Sequence, residues 1–563
     1  MRVPFGRRGT RGAADGGPGP EAGSADDVGG GGAGAPDAAG RAARRARAAR
    51  AAGAVGAGAL PALAFPAPGL WWFAYVALVP WMLLLRTAPT ARRAALEGWL
   101  GGLGFMLAMH HWLLPSLHVF LFVLAALLGL LWLPWGWLVR VMLGYEPSAV
   151  RAAAALVVVP AGWLVIELAR SWEGLGGPWG LLGASQWQVE PALRLASVGG
   201  VWLVSLLVVA ANTAAALLVS VAAVRLTMVA ALVVCALTTG LLWWGVGPPS
   251  ERGTVRVAVV QPGVFDGSGG AERRFARGEE LTRTLVGRDV DLVVWGESSV
   301  GADLTARPEL AARLTALSRA VDAPILVNVD ARRADRPGIF KSSVLIDAEG
   351  PTGDRYDKMR LVPFGEYVPA RAVLGWATSV GKAAGEDRRR GTEAVVMNLP
   401  AEDGRPGLRI GPLVCFESAF PDMSRRLARS GAELLVTQSA TSTFQHSWAP
   451  AQHASLAALR AAETGRPVVH ATLTGVSAVY GPDGARVGAP LGTDRSAVAV
   501  HEVPLARGST VYVRFGDWPL YGALAVLAVA GAVEGAGSLR MPGSEPRGPR
   551  ARTARGSATR RAR

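Results

Sequence analysis

Residues 411–420 read GPLVCFESAF, and with the three residues before them they form LRIGPLVC (408–415), a run of strand-forming residues that ends on Cys415. A cysteine that closes a strand and opens a sharp turn exposes its sulfur at the carboxyl edge of a sheet, where α/β folds gather their reactive groups. The plainer reading is a buried structural thiol, since free cysteine is among the most buried residue types. The second of the two cysteines, Cys235, lies inside an apolar run and suits that plainer reading. Two cysteines so placed cannot build a disulfide framework, so Cys415 is expected as a free thiol.

Outward from Cys415, residues 250–516 have the texture of one globular domain. Strands are predicted at 255–260, 291–295, 324–329, 408–415, 433–438, 467–472 and 497–503 from their β-branched and apolar runs. Helical patterns at about 305–320, 422–430 and 451–464 separate several of them, which predicts an α/β core with mixed sheets.

The rest of the chain is of another kind. Half of all residues are hydrophobic, mean hydropathy is +0.28 and there are 19 Trp, too apolar for a soluble protein of 563 residues. A bilayer core is crossed by about 20 helical residues. Seven spans are predicted within 51–246, at about 51–67, 69–85, 94–114, 117–139, 152–170, 196–220 and 226–246. The first two are short and rich in Pro and Gly, so a re-entrant pair is the alternative there. An eighth is expected at 517–537. The flanks, 1–50 and 538–563, lack large apolar side chains and are expected to be disordered basic tails.

Those tails hold much of the formal net charge of +15, a distribution that fits anionic lipid rather than nucleic acid. Arg86, Arg92, Arg93, Arg140, Arg151 and Arg225 fall on alternate connections. By the positive-inside rule both termini are then cytoplasmic and 250–516 is extracytoplasmic.

Two further residues in that domain carry chemistry: Glu297, closing the strand of LVVWGES (292–298), and Lys358 in YDKMRLVPFGEYVP (356–369). A thiol of reference pKa near about 8.5 is only a few per cent thiolate at neutral pH, so it needs a base or a cation. Glu297 can take the proton. At an effective dielectric of about 20, an ammonium about 4 Å from a forming oxyanion contributes on the order of 4 kcal/mol, roughly three decades in rate, which suits Lys358. The backbone N–H of Phe416, just past the sulfur, is a natural second oxyanion donor.

These segments, with VCFESAFPD (414–422), QHASLAALRAAETGRPVVHATLTGVSAVYGPDG (452–484) and GGPWGLLGASQ (176–186), resemble the apolipoprotein N-acyltransferase family over about residues 55–535. The outer domain of that family belongs to the carbon–nitrogen hydrolase, or nitrilase, superfamily. The resemblance implies an αββα sandwich carried on about eight transmembrane helices. It implies Glu297 as general base, Lys358 as charge stabiliser and Cys415 as nucleophile, with Glu366 and Glu417 as acidic groups close by. It also implies a phospholipid acyl donor, a cysteine thioester and a diacylated lipoprotein acceptor in the bacterial plasma membrane, with no cofactor and no metal, in a chain expected to act as a monomer. The chain departs from the family in having Gly296 where Pro is usual, Phe416 where Tyr is common, and SATSTFQHSW (439–448) where Asn-Asp-x-Trp-Phe is usual. A tryptophan often found soon after the first strand is absent from 261–275.

Two rival readings remain at this level: a membrane-anchored amidase using the same three groups with water as acceptor, and a transporter or receptor with an external binding domain. Phe364, Tyr367, Trp376, Phe444 and Trp448 are candidates to line an acyl pocket or dip into the bilayer. His110 and His111, adjacent on a helix, point apart and make a poor metal pair. His446 and His453 are expected in solvated or core roles. Glu167 and Arg170 are expected to pair and snorkel at a span's outer end.

Overall fold

A computed structural model of the chain describes residues 35–247, 249–265, 267–369, 371–375, 385–401 and 407–539. Of the tails expected at 1–50 and 538–563, residues 1–34 and 540–563 lie outside the described residues, as does Trp376. The tail predicted over 1–50 gives way at Ala35 to helix α1 (Ala35–Ala59). Its Ala and Arg residues are strong helix formers even where they have nothing to bury.

Among the described residues five helices are long and apolar enough to cross a membrane: α4 (Phe120–Leu143), α5 (Ala149–Arg170), α6 (Glu190–Ser220), α7 (Ala222–Gly245) and α12 (Trp518–Leu539, apolar through Ala536). α3 (Ala91–His110) is of similar length and carries Arg92, Arg93 and Glu97 in its first two turns. The first two predicted spans are broken. α1 passes into a 3-10 turn at Leu60–Ala64, and a second 3-10 turn at Trp71–Tyr75 precedes α2 (Val79–Arg86). Pro61, Pro66, Pro68 and Pro80 fall in this stretch, and each removes a backbone donor that a continuous helix needs.

The helices pack closely on small residues. A Cβ on Gly98 of α3 would lie 2.5 Å from the carbonyl oxygen of Trp132 in α4, and one on Gly136 2.5 Å from that of Ala94. Trp81, Trp132, Trp135 and Trp163 are fully buried and meet edge to face, with centroids 5.0 Å apart for Trp81–Trp135 and 5.1 Å for Trp135–Trp163. Glu167 and Arg170 are buried as well instead of snorkelling. Glu167 accepts from Trp163 Nε1 (2.9 Å) and Leu182 N (2.7 Å), and Arg170 donates to the Trp179 carbonyl (2.7 Å).

Among the described residues the second half of the chain forms two six-stranded sheets. The first has the order β12-β1-β2-β3-β4-β5, with β1 (Ser250–Gln261), β2 (Leu292–Trp295) and β3 (Ile325–Arg332) parallel. β4 (Ile339–Ile346), β5 (Pro351–Asp357) and β12 (Ala497–Arg507) join it antiparallel. The second has the order β11-β10-β9-β8-β7-β6, with β7 (Leu408–Val414), β8 (Leu434–Ser439) and β9 (Val468–Thr472) parallel. Antiparallel β6 (Met397–Leu399), β10 (Ser477–Tyr480) and β11 (Arg486–Leu491) flank it.

Helices α8 (Gly270–Arg283) and α9 (Pro308–Val321) cover the outside of the first sheet through Phe275, Leu285, Leu314 and Leu317. Val257, Leu292, Leu326, Ile410, Val436 and Val469 fill the space between the sheets. The other face of the second sheet is covered by α10 (Pro421–Arg429) and α11 (Ala449–Thr464), whose apolar residues continue into the core of the membrane helices. The layers are therefore α, β, β, α, with the last helical layer resting on the membrane bundle.

Candidate active site

Cys415 leaves β7 with φ 51°, in the left-handed region, and enters a 3-10 turn, Cys415–Ala419. A non-glycine residue there needs its surroundings to hold it. Glu417 does so. Its Oε2 accepts from Val414 N (2.8 Å), and its Oε1 from Tyr356 Oη (2.7 Å), Met359 N (2.7 Å) and Arg360 N (3.0 Å). One buried carboxylate thus ties the cysteine turn to the lysine loop. His453 of α11 grips the turn from the other side, with Nε2 3.0 Å from the Cys415 carbonyl oxygen and Nδ1 3.0 Å from Ser439 Oγ. Burial pushes its pKa down to about 4, so the ring is neutral, donating through Nε2 and accepting at Nδ1.

Glu297 stands two residues beyond β2, and its N–H donates to the Ser439 carbonyl across the sheets (3.1 Å). Gly296 makes that approach possible, because a Cβ there would lie 2.0 Å from Leu473 N and 2.4 Å from the carbonyl carbon of Thr472. The departure from proline at this position therefore has a local reason: the backbone after β9 occupies the space of a side chain.

Lys358, one residue past β5, is fully buried, with Nζ 3.2 Å from Glu297 Oε1 and 2.8 Å from Glu366 Oε1. Glu366 is fixed in turn by Val362 N (2.8 Å). Lys341 of β4 completes the cluster, with Nζ 2.8 Å from Glu297 Oε1, 3.2 Å from Glu366 Oε1 and 3.7 Å from Asp330 Oδ2. The Cys415 thiol meets the Glu297 carboxylate. Phe416 is buried, edge to face with Phe420 at 5.0 Å, and its N–H lies in the first turn of the 3-10 segment, where no intrahelical acceptor exists.

Charges set the resting state. Burial works to raise the Glu297 pKa, but the ammoniums of Lys341 and then Lys358 outweigh it and hold the carboxyl at about 2. Burial, then the Glu297 charge, push the Cys415 thiol up to about 12. Burial works to lower the pKa of Lys358, but Glu297 and Glu366 raise it above its usual value. The resting site is therefore a thiol, two carboxylates and two ammoniums.

The membrane half contributes the floor. Gly177 sits against the rings of Phe416 and Phe420, Trp179 Nε1 donates to Gln452 Oε1 (2.9 Å), and Glu173 pairs with Arg360 (3.8 Å) and Arg390. The segment 439–448 leans on the end of α3: Phe444 packs on Trp112 at 4.8 Å and Trp448 on His111 at 4.5 Å.

The structure brings Glu297, Lys358, Cys415, Glu366, Glu417 and Phe416 into one place, from three separate stretches of chain. The sequence reading does not single out Lys341, and it expects His453 only in a solvated or core role; the structure buries it against the cysteine turn. β4 was not predicted, and nothing in IFKSSVLI (339–346) sets its lysine apart from a surface charge. Among the described residues no set of three or more His, Cys, Asp or Glu is grouped to hold a metal ion.

A paired-sheet α/β domain with a buried glutamate–lysine–cysteine cluster, seated on apolar helices, defines a membrane-associated enzyme of the carbon–nitrogen hydrolase class; residues 256–512 match the Carbon-nitrogen hydrolase family. Residues 57–214 match the Apolipoprotein N-acyltransferase N-terminal domain. Proteins named apolipoprotein N-acyltransferase from Geobacter metallireducens and Azotobacter vinelandii are 30% and 32% identical to it, each aligned over 84% of this chain and 93% of the relative. Among solved structures, Saccharomyces cerevisiae Nit3 of the nitrilase superfamily aligns at 18% identity with a TM-score of 0.33, over 46% of this chain and 91% of that one. The chain belongs to the apolipoprotein N-acyltransferase family.

Proposed function

We propose that this enzyme moves an acyl chain from a phospholipid to the N-terminal amine of diacylglyceryl-cysteine in lipoproteins, through a thioester on Cys415. The observation that carries the reading is the meeting of the Cys415 thiol, the Glu297 carboxylate and the Lys358 ammonium above a floor formed by the connection between α5 and α6.

In the first half, sulfur attacks the ester carbonyl as its proton passes to Glu297. The tetrahedral oxyanion is held by Lys358 Nζ and the Phe416 N–H. Collapse breaks the C–O bond, and the departing lysophospholipid oxygen takes the proton from Glu297. In the second half, the acceptor amine attacks the thioester and gives its proton to Glu297. The C–S bond breaks, and the departing sulfur recovers that proton. Splitting one hard transfer into two easier ones is what a thioester offers. Both substrates keep their chains in the bilayer, where each buried CH₂ contributes about 0.8 kcal/mol, which accounts for a catalytic domain built onto apolar helices. The enzyme works as a monomer on this reading.

The membrane part is read as eight crossings, with 51–246 holding seven, 517–537 the eighth and 250–516 as the extracytoplasmic catalytic domain. Arg86 and Arg140 meet at Tyr145 (2.7 and 3.1 Å), Arg151 pairs with Glu534 (2.8 Å), and Arg50 reaches Leu84 O and Glu97 (both 2.8 Å). These arginines gather at the bundle end away from the catalytic domain, and the positive-inside rule favours that end, with both termini, as cytoplasmic.

The test is incubation of the purified full-length protein with phosphatidylethanolamine vesicles and a diacylated lipopeptide. Triacylated peptide is expected from the wild type and none from Cys415→Ala; equal product from both contradicts the proposal. Release of free fatty acid without triacylated peptide would favour the amidase-like reading with water as acceptor.

A further inference from the structure

We infer that Lys341 is a positioning residue for Glu297: with Lys358 it clamps one carboxylate oxygen, and it fixes the pH range over which Glu297 can accept the thiol proton. The inference rests on Glu297 acting as the base of the proposed thioester chemistry.

Three observations lead to it. Both ammoniums sit on the same atom, Glu297 Oε1, at 2.8 Å for Lys341 and 3.2 Å for Lys358, while the carboxylate also meets the thiol. The Lys341 side chain is only 13% exposed, so little water screens it. The count of charges also requires it. With Lys358 alone, Glu297 and Glu366 would share a single ammonium, and two close carboxylates so placed push one pKa up. Lys341 bridges both (2.8 and 3.2 Å), so both stay ionised.

The groups facing Glu297 are few. They are Lys341 from β4, Lys358 and Glu366 from the lysine loop, and the Cys415 thiol from the end of β7. Behind Lys341 lies Asp330 of β3 at 3.7 Å, itself shared with Arg388 at 3.4 Å, and His453 of α11 is neutral. Lys341 makes the larger of the two ammonium contributions that lower the Glu297 pKa.

The sign follows. The carboxylate is the working form of a base, so activity is present above its pKa and lost as pH falls through it. Held at about 2, Glu297 produces no acid limb in the usable range. Removing one ammonium raises the pKa and brings the limb into view.

The experiment is single-turnover acylation of Cys415 in the full-length protein by phosphatidylethanolamine, read by intact mass from about pH 4 to about pH 9. No lipopeptide is present, so the acceptor amine does not titrate. Lys341→Met is expected to show an acid limb above about pH 4, an upward shift of about two pH units or more, where the wild type and Lys341→Arg, which keeps the charge, stay flat. A profile for Lys341→Met as flat as the wild type overturns the inference, as does an equal limb in Lys341→Arg. Should Lys341→Met fail to insert, Lys341→Gln is read against the same two outcomes. A wild type that forms no thioester at any pH instead sinks the underlying reading of Cys415 and Glu297.

Discussion

Cys415 is poised by being kept protonated. Because burial and the Glu297 charge push its thiol up to about 12, it should be a poor target for alkylation in the resting enzyme at neutral pH. Glu297→Gln removes a charge that raises the thiol pKa and leaves two ammoniums that lower it. That variant should lose acyl transfer yet gain reactivity toward iodoacetamide at about pH 8. Alkylation rates that are equal in the two proteins would contradict the electrostatic account. Lys358→Met should lower thioester formation by roughly three decades, the loss of an ammonium beside the oxyanion. Glu417 acts differently, through geometry. Glu417→Ala leaves the N–H groups of Val414, Met359 and Arg360 and the phenol of Tyr356 without their acceptor. Each unsatisfied buried group costs about 1–3 kcal/mol, so both the melting temperature and the acylation rate should drop. An unchanged melting temperature would show that the two loops do not depend on that carboxylate.

Elements decide how near these residues come to one another. The parallel strands β2, β7 and β8 were legible because continuous Val, Leu and Ile runs mark strands buried on both faces. Glu297 and Cys415 at the ends of β2 and β7 were legible with them. β4 and β5 were not. FKSS and PTGDRYD mix polar and charged residues with few apolar ones, and no hydrophobic period survives. Lys341 was lost with its strand. The first two spans fell short for a related reason: composition finds an apolar run, but Pro61, Pro66 and Pro68 break the helix within it. Trp81 lies in one of the apolar runs predicted as spans and is fully buried within the helices; hydropathy does not distinguish bilayer from protein interior. Glycine contacts make the element-scale prediction. Gly98→Leu would drive a side chain into the Trp132 carbonyl of α4, and overpacking of this kind costs about 1–3 kcal/mol or more. Lowered thermal stability in detergent is expected, and a neutral result would mean that α3 and α4 do not pack this closely.

At the scale of the molecule, the catalytic domain is fastened to the bundle where α6 breaks. Gly199 and Gly200 leave helical geometry (φ −134° and 67°), and the freed N–H of Val201 donates to Glu463 of α11 (2.8 Å), which also pairs with Arg460 (2.9 Å). Trp202 Nε1 and the Tyr512 hydroxyl both reach Asp517 (3.0 and 3.1 Å) close by. Burial raises the Glu463 pKa to about 7. A carboxyl raised in the folded state contributes stability that is full below its unfolded pKa and is lost as pH rises through about 7. The melting temperature should therefore fall from about pH 4.5 to about pH 7 and level off above that, and Glu463→Gln should flatten that slope. An equal slope in the variant would assign the effect elsewhere. The account as a whole depends on acyl carriage by one sulfur at the junction of domain and bundle. Its most direct test is the intact mass of the full-length enzyme after exposure to phosphatidylethanolamine alone and again after a chase with diacylated lipopeptide. The prediction is one added acyl chain, mapped to Cys415 and discharged by the peptide; triacylated peptide formed by an enzyme that never carries the chain on Cys415 would contradict it.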